Sequence, residues 1–323
     1  MLMAGSGCAA GHAEPETGAT AVPGFPVVIE NCGRTLTFDA PPERVVTGYQ
    51  PVLETLLALG VDDRIIGRVN FSENGPDGFL PGQRERYEQL PEISDSILFP
   101  DREVMLALDA DLVVTEGWYN FSESRGQVTI EELAEAGTQV YITGGWCDPE
   151  SQRRFQIEDT LQDVIELGRI FGVPEQAEAV VDEMRQILDE VTAAVADRTP
   201  VPVLATDGGA GPVRVYGGAG LTHAMIEAAG GVNVLAAVED DLFQANVEVV
   251  AATEPRAMIV TDYQPGPTAA EKFTEVAAII PDSAAAREGT YLALPAVSQH
   301  PGYRNILAVR EIAQFLHPEA FAG

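Results

Sequence analysis

Short apolar runs alternate with amphipathic stretches along most of the chain. Continuous apolar runs of about four residues, separated by helical patterns, are typical of parallel strands that are covered on both faces. The sequence therefore predicts an α/β fold with parallel sheets. An alternating segment at 27–38 comes first. The predicted strands then lie at residues 44–47, 64–67, 112–115, 140–143, 203–206, 214–216 and 257–261.

One helical segment differs from the others in length. After Pro174, residues 175–197 contain neither Gly nor Pro, and at 1.5 Å per residue such a helix is about 35 Å long. Its apolar positions form a single stripe. We interpret residues 174–198 as a rigid connecting helix between an N-terminal lobe at 27–173 and a C-terminal lobe at 199–323. Residues 1–26 form a separate N-terminal segment.

A weak internal repeat supports two similar lobes. Glu103 opens a short helical segment that leads to the strand at 112–115, and Glu248 opens another that leads to the strand at 257–261. The same unit therefore occurs once in each half. We predict two doubly wound, Rossmann-like lobes with a ligand cleft between them.

Charge and composition exclude several classes of function. The chain of 323 residues has 19 Lys and Arg against 50 Asp and Glu, a formal net charge of −31. Nucleic-acid binding and docking on anionic lipid through a basic patch both need the opposite charge. No apolar run reaches the ~18 residues of a membrane-spanning helix. Acidity itself indicates little more than a solubilising surface.

The three cysteines bear on location. Small residues precede Cys8, as at the end of a bacterial lipoprotein signal, and a Gly-, Ala- and Pro-containing stretch follows. We expect Cys8 to carry a lipid anchor on an exported protein; an incidental cysteine in a flexible terminus is the alternative. In an exported chain the remaining pair, Cys32 and Cys147, suggests one disulfide. Two buried free thiols are the alternative for that pair.

Motifs for catalysis or metal binding are not found. The four His have no metal-ligand spacing, and the Gly-rich stretches lack the spacing and Lys of a phosphate-binding loop. Lys272 is the only lysine in the chain. We therefore predict neither an enzyme nor a bound cofactor or metal.

Aromatic residues repeatedly follow predicted strands. Ligands of doubly wound sheets bind at the carboxyl ends of the strands, so these rings predict an aromatic-lined cleft, although packing in the core is the alternative. Arginines that follow first-lobe strands could meet an anionic ligand there, or could be ordinary surface residues. The candidate ligand-binding residues are Tyr49, Gln50, Phe71, Trp118, Tyr119, Arg125, Trp146, Arg153, Arg154, Tyr216 and Tyr263.

From residue 41 onward the chain resembles a known family, the substrate-binding proteins of ABC importers for iron–siderophore complexes, cobalamin and haem. The order and spacing of several segments carry the resemblance. They are PERVV at 42–46, LETLLALG at 53–60, DRIIG at 63–67, residues 103–114, LGRIFG at 167–172, GGVNV at 230–234 and LHPEAF at 316–321.

The resemblance implies an extracytoplasmic, monomeric protein that hands its ligand to a membrane permease dimer. It implies that Glu103 and Glu248 dock on arginines of that permease, although a Glu at a helix start also complements the helix dipole. A ferric siderophore is our first expectation for the ligand, followed by cobalamin or haem. Two alternatives stay open. One is a chelatase that uses His223 or His300, and the other is an adhesion module without a small ligand.

Overall fold

The computed structural model describes residues 22–69 and 78–322, and it begins with an antiparallel hairpin. Strands β1 (Val27–Asn31) and β2 (Arg34–Phe38) pair across a turn at Cys32 and Gly33. Alternate side chains of each strand are buried, which explains the period-two pattern of this segment. Within the described residues, no helix is both long and apolar enough to cross a membrane.

The first lobe contains a five-stranded parallel sheet in the order β5-β4-β3-β6-β7. Strands β3, β4 and β5 follow one another towards one edge of the sheet, and β6 and β7 towards the other edge. The gap between β3 and β6 is therefore the topological switch point. The strands are β3 (Val45–Thr47), β4 (Ile65–Val69), β5 (Glu92–Ser94), β6 (Leu112–Thr115) and β7 (Gln139–Ile142). The helices are α1 (Gln50–Leu59), α2 (Arg84–Glu88), α3 (Arg102–Ala107), α4 (Ile130–Glu135), α5 (Pro149–Arg153) and α6 (Ile157–Ile170).

A long helix follows, α7 (Pro174–Val195). It begins with proline, whose fixed φ and missing N–H suit the first turn of a helix. Its buried side chains lie on one stripe of the helix surface. They are Ala177, Val180, Val181, Met184, Ile187 and Val191.

The second lobe contains a mixed sheet. Strands β10 (Gly231–Asn233), β8 (Val201–Gly208), β12 (Ala257–Asp262) and β13 (Tyr291–Pro295) are parallel neighbours, so this switch point lies between β8 and β12. Strand β9 (Val213–Tyr216) runs antiparallel to β8, and β11 (Leu242–Ala245) pairs antiparallel with β9. The sequence pattern predicted a strand near β9 but not its direction. The helices are α8 (Gly220–Ala228), α9 (Val247–Ala251), α10 (Ala269–Ala277), α11 (Ala284–Glu288) and α12 (Tyr303–Leu316).

The predicted fold class, two doubly wound α/β lobes bridged by a long helix, is confirmed. The reversed direction of β9 has a local cause. Gly208 at the end of β8, and Gly209 and Gly211 in the turn after it, all have positive φ, a conformation that glycine adopts without steric cost. The chain therefore folds back immediately instead of crossing over through a helix.

The C-terminal helix α12 connects the two lobes a second time. It packs against α1, α7 and α8. The guanidinium of Arg304 forms a buried ion pair with Glu54 of α1, with Nε 2.7 Å from Oε2. Beside it, the Tyr303 N–H donates to Thr55 Oγ1 at 3.1 Å, and Asn305 Nδ2 donates to Thr160 Oγ1 of α6 at 2.8 Å. The start of α12 is therefore fixed to the first lobe.

We predict that Glu54→Ala lowers the free energy of unfolding by about 3–5 kcal/mol, because it leaves the Arg304 charge buried without its carboxylate. Urea unfolding measures this loss. Asp182→Ala is the matched control, since Asp182 pairs with Arg185 at 3.5 Å but its side chain is 68% exposed, and we expect it to cost less than about 1 kcal/mol. Equal effects of the two substitutions would contradict the assigned role of the buried pair.

Candidate ligand-binding cleft

The switch points of both sheets open onto one cavity of about 290 Å³, called here the cleft cavity. In open α/β sheets a ligand crevice forms where neighbouring strands send their connections to opposite faces. The first lobe lines the cavity with Tyr49, Ile97, Glu116 and Tyr119, and the second lobe with Asp207, Arg214, Tyr216, Leu242, Thr261 and Tyr263. Ala296 and His300 come from the segment between β13 and α12.

Close approach of two loops forms the first-lobe side of the cleft cavity. A Cβ on Gly48 would lie 2.6 Å from Thr115 Oγ1 and 2.7 Å from Glu116 Oε2. Since real Cβ atoms do not come that close to a neighbour, this position needs glycine. The missing side chain lets the residue after β3 and the residue after β6 come into direct contact.

Glu116 is the centre of that contact, with only 2% of its surface exposed. Its carboxylate accepts hydrogen bonds from the Tyr49 N–H at 3.0 Å and the Tyr119 hydroxyl at 3.1 Å. Asn120 Nδ2 donates at 2.9 Å and Thr115 Oγ1 at 3.0 Å. Four donors satisfy this buried charge. Glu116 therefore holds two cleft tyrosines in position, one through its backbone and one through its hydroxyl.

A group of three charged side chains forms part of the second-lobe side. Asp207 Oδ1 lies 2.8 Å from the Lys272 ammonium, and Asp207 Oδ2 lies 2.5 Å from the Arg214 guanidinium. Lys272 Nζ also donates to the Thr261 carbonyl at 2.8 Å and lies 3.8 Å from the centroid of the Tyr263 ring. The lysine thus fixes both a carboxylate and an aromatic ring of the cavity.

Tyr216 contributes a neutral hydroxyl to the same side. Its OH lies 3.1 Å from Thr261 Oγ1. Burial is the main cause that raises the pKa of the Tyr216 hydroxyl far above its ordinary value. The phenol therefore stays protonated at physiological pH and acts as a hydrogen-bonding group, not as an anion.

His300 joins the two lobes at the cavity floor. Its ring centroid lies 4.9 Å from that of Tyr49, edge to face, and 5.6 Å from that of Trp146. The Nδ1 atom lies 3.1 Å from the Ala296 carbonyl oxygen. Trp146 is 3% exposed and packs behind His300 against Phe155. It supports the cavity from inside the core and does not line it.

Four of the predicted ligand-binding residues, Tyr49, Tyr119, Tyr216 and Tyr263, line the cleft cavity. Gln50 points elsewhere, because its Nε2 donates to Glu54 Oε1 and to the Gly78 carbonyl, each at 2.8 Å. Trp118 is 38% exposed and contacts the edge of Tyr119 without lining the cavity. Phe71 and Cys8 lie outside the described residues.

The three predicted arginines lie away from the cavity. Arg125 donates to the Tyr119 carbonyl, Arg154 pairs with Glu150 on the surface, and Arg153 lies 3.6 Å from Asp240. The arginine that lines the cavity is Arg214. Arg214, Glu116 and Asp207 were not identified as cavity residues from the sequence. A signal was present for the two acids. Each directly follows a predicted strand, so the rule applied to the aromatics would have found them.

A second cavity of about 400 Å³, called here the side cavity, lies between the lobes beside α7. Its lining includes Arg153, Gly220 and His223. Next to it the lobes bond directly, since Gln152 Nε2 donates to Asp241 Oδ2 at 2.9 Å. Burial raises the pKa of the Asp241 carboxyl from 3.8 to about 6, and the bond from Gln152 opposes that rise.

The hairpin at the start of the chain is fastened beside the cleft. A disulfide joins Cys32 of its turn to Cys147 in the loop that carries Trp146. The Asn31 amide adds two hydrogen bonds to the backbone of Ile142, each 2.9 Å long. The described residues contain no cluster of three or more His, Cys, Asp or Glu that could hold a metal ion.

Both predicted docking residues are exposed, and each occupies the same position in a short helix. Glu103 is the second residue of α3 and Glu248 is the second residue of α9. In each case an exposed valine follows, Val104 at 46% and Val249 at 43% exposure. The repeat seen in the sequence is therefore also a repeat in local structure.

These observations define a two-lobed protein with an interlobe ligand cleft. A family model described as periplasmic binding protein matches residues 45–312, and the chain belongs to this family. The chain is 28% identical over 245 residues to a cobalamin-binding protein of Halobacterium salinarum. The aligned region covers 73% of this chain and 58% of that protein. The chain thus spans 58% of the length of that curated relative.

A second relative and a solved structure are also similar to this chain. The chain is 30% identical over 177 residues to the ferric-anguibactin-binding protein FatB of Vibrio anguillarum, covering 54% of this chain and 49% of that protein. A solved structure described as an ABC-type Fe3+-hydroxamate transport system from Saccharomonospora viridis DSM 43017 matches with a TM-score of 0.73 at 24% identity. It covers 93% of this chain and 100% of that chain, so the two share a fold.

The raised pKa of the Asp241 carboxyl predicts how the stability of the protein depends on pH. Because the native pKa of Asp241 exceeds the 3.8 of an unperturbed carboxyl, the native state binds this proton more tightly than the unfolded chain does. Its contribution to stability is therefore present at low pH and lost as pH rises towards about 6. We expect wild type to lose about 2 kcal/mol more than Asp241→Asn between about pH 4 and pH 7.

Urea unfolding at both pH values measures this difference. Asp182→Asn is the control, since its side chain is 68% exposed and it is not among the groups that shift the pKa of Asp241; its profile should stay parallel to that of wild type. A parallel profile for Asp241→Asn as well would contradict the raised pKa.

Proposed function

We propose that this protein is the extracytoplasmic solute-binding component of an ABC importer, and that it binds a ferric siderophore in the cleft cavity. The observation that carries the proposal is the convergence of four tyrosines from two lobes on one cavity at both switch points. Aromatic faces together with one guanidinium suit a chelate that is partly aromatic and partly anionic.

The names of the relatives support a metal-chelate ligand without selecting one. One relative is named for cobalamin and another for ferric anguibactin. A siderophore is preferred here because Arg214 places a positive charge among the rings. Cobalamin and haem are the alternatives within the same fold.

Capture would need only small movements of the lobes. Helix α7 connects them once, and α12 connects them again through its bonds to α1 and α6. Two such connections restrict hinge rotation. The positions of Tyr49, Tyr119 and Tyr263 are fixed by buried partners before any ligand arrives. Preorganised side chains lower the entropy cost of binding.

Delivery to a permease dimer would use Glu103 and Glu248. Both carboxylates are exposed and stand at equivalent positions of the two lobes. Charge pairing across such an interface sets orientation and association rate more than affinity. A lipid on Cys8 would keep the binding protein near its permease, with the following residues as a tether.

We expect tryptophan fluorescence to change on titration with a ferric siderophore, because Trp146 contacts His300 and Trp118 contacts Tyr119 at the cavity. Haemin and cyanocobalamin complete the ligand panel. Tyr263→Ala should weaken binding of the ligand roughly tenfold, since it removes one aromatic face. Tyr291→Ala is the matched control, because Tyr291 stacks on Phe273 outside the cavity.

Two results would contradict the proposal. One is that no member of the panel binds. The other is catalytic turnover, tested by metal insertion into a porphyrin, because His300 and Glu116 line the same cavity and a chelatase pairs a histidine with an acid. In this structure Glu116 already accepts four hydrogen bonds, which favours a supporting role for that acid.

Delivery to the permease can be separated from ligand binding by substitution of the two docking glutamates. The variant with both Glu103→Gln and Glu248→Gln should keep wild-type affinity for its ligand, because neither residue lines the cleft cavity. Uptake of radiolabelled iron chelate by native cells that carry this variant should fall roughly tenfold or more, since both ion pairs with the permease are lost. Glu288→Gln, an exposed glutamate of the second lobe, is the control. Undiminished uptake by the double variant would refute docking through these residues.

A further inference from the structure

The single lysine of this acidic chain is buried beside the cleft. Lys272 lies on α10, and its side chain is 3% exposed. Lysine is rarely buried unless it is paired, because removing its charge from water is costly. Here the ammonium finds three partners, the Asp207 carboxylate, the Thr261 carbonyl and the face of Tyr263. Its burial is therefore compensated by the second-lobe side of the cavity.

The charges of this group do not cancel. Asp207 carries one negative charge, and its two oxygens bind two cations, Lys272 and Arg214. Lys272 and Asp207 are both nearly inaccessible, with side chains 3% and 4% exposed, whereas the Arg214 side chain is 46% exposed. Arg214 is the only one of these three side chains that reaches solvent in the cavity, so the surplus positive charge lies on its guanidinium.

In the part of the chain that the structure describes, Arg214 forms its ion pair with Asp207 and not with Glu116, the other acid that lines the cavity. Glu116 stands on the first-lobe side, where four donors surround its carboxylate. His300 lies 3.1 Å from a carbonyl oxygen through Nδ1. Among the described residues that line the cavity, Arg214 is the only Lys or Arg.

We propose that Lys272 is a positioning residue that sets the charge selectivity of the cleft: it neutralises Asp207, so that Arg214 can bind an anionic group of the ligand. Without Lys272, Asp207 and Arg214 would form a neutral pair, and no surplus positive charge would remain at the guanidinium for the ligand. This inference rests on the proposed function for the place of binding. It names the chemical class of the ligand group, a carboxylate or another oxyanion.

The charge count makes the test specific. Wild type has a surplus of one positive charge, and Arg214→Gln and Lys272→Met each reduce it to none. Asp207→Asn raises the surplus to two. The double variant Lys272→Met with Asp207→Asn returns it to one while both buried charges are absent. Affinity for an anion should follow this order, irrespective of which residue is changed.

The probes are para-fluorobenzoate and its neutral analogue para-fluorobenzamide, two small aromatic molecules observed by fluorine NMR. We expect Arg214→Gln and Lys272→Met to weaken benzoate binding roughly tenfold or more, the typical effect of losing a charge-assisted hydrogen bond. Benzamide binding should stay unchanged. The double variant should recover benzoate binding, which a merely structural defect of Lys272→Met would not allow. Thermal unfolding verifies that each variant is folded.

Failure of this inference is distinguishable from failure of the proposed function. If metal chelates bind to wild type but benzoate binding does not follow the charge order, the role of Lys272 is refuted and the proposed function stands. If no chelate binds but benzoate follows the order, the ligand class stands and the siderophore assignment falls. If the double variant binds benzoate no better than Lys272→Met, the inference is overturned.

Discussion

A buried ion pair joins the two helices that follow cleft residues Tyr49 and His300. Glu54 lies in the first turn and a half of α1, and Arg304 is the second residue of α12. Tyr49 directly precedes α1, and His300 stands three residues before α12, so the pair fixes the starts of both helices. The planar guanidinium fork matches a carboxylate in one orientation. The Tyr49 and His300 rings, which precede these two helices, contact each other in the cavity with centroids 4.9 Å apart.

The two sides of the cleft use buried charges of opposite sign for the same purpose. On the first-lobe side Glu116 accepts bonds from residues that follow β3 and β6. On the second-lobe side Lys272 donates to residues at the ends of β8 and β12. In each case a charge that would be costly alone is satisfied by groups at the switch point. Both charges therefore hold cavity rings in place without contacting solvent.

Hydrophobic patterning predicted the strands on both sides of each switch point, because buried parallel strands need continuous apolar runs, and it located the strand ends that carry Tyr49 and Tyr263. It did not predict β5, β10, β11 or β13. It could not show where a side chain points after the strand has ended. Trp146 follows Gly144 and Gly145, whose φ values of 63° and 59° turn the chain so that the indole packs into the core. Gln50 is the first residue of α1 and bonds to Glu54 one turn later. Such directions depend on turns and tertiary partners, which periodicity does not encode.

The size of the cavity and the stiffness of the frame together constrain recognition. Its volume of about 290 Å³ is at the lower end of the ~300–1,000 Å³ typical of small-molecule sites. A larger chelate would therefore extend beyond the cavity towards exposed rings such as Trp118. Because α7 and α12 both connect the lobes, we expect closure to be too small to supply the remaining contacts. Selectivity must then come from groups already in place, and a rigid cleft discriminates through the charge and shape it presents before the ligand arrives.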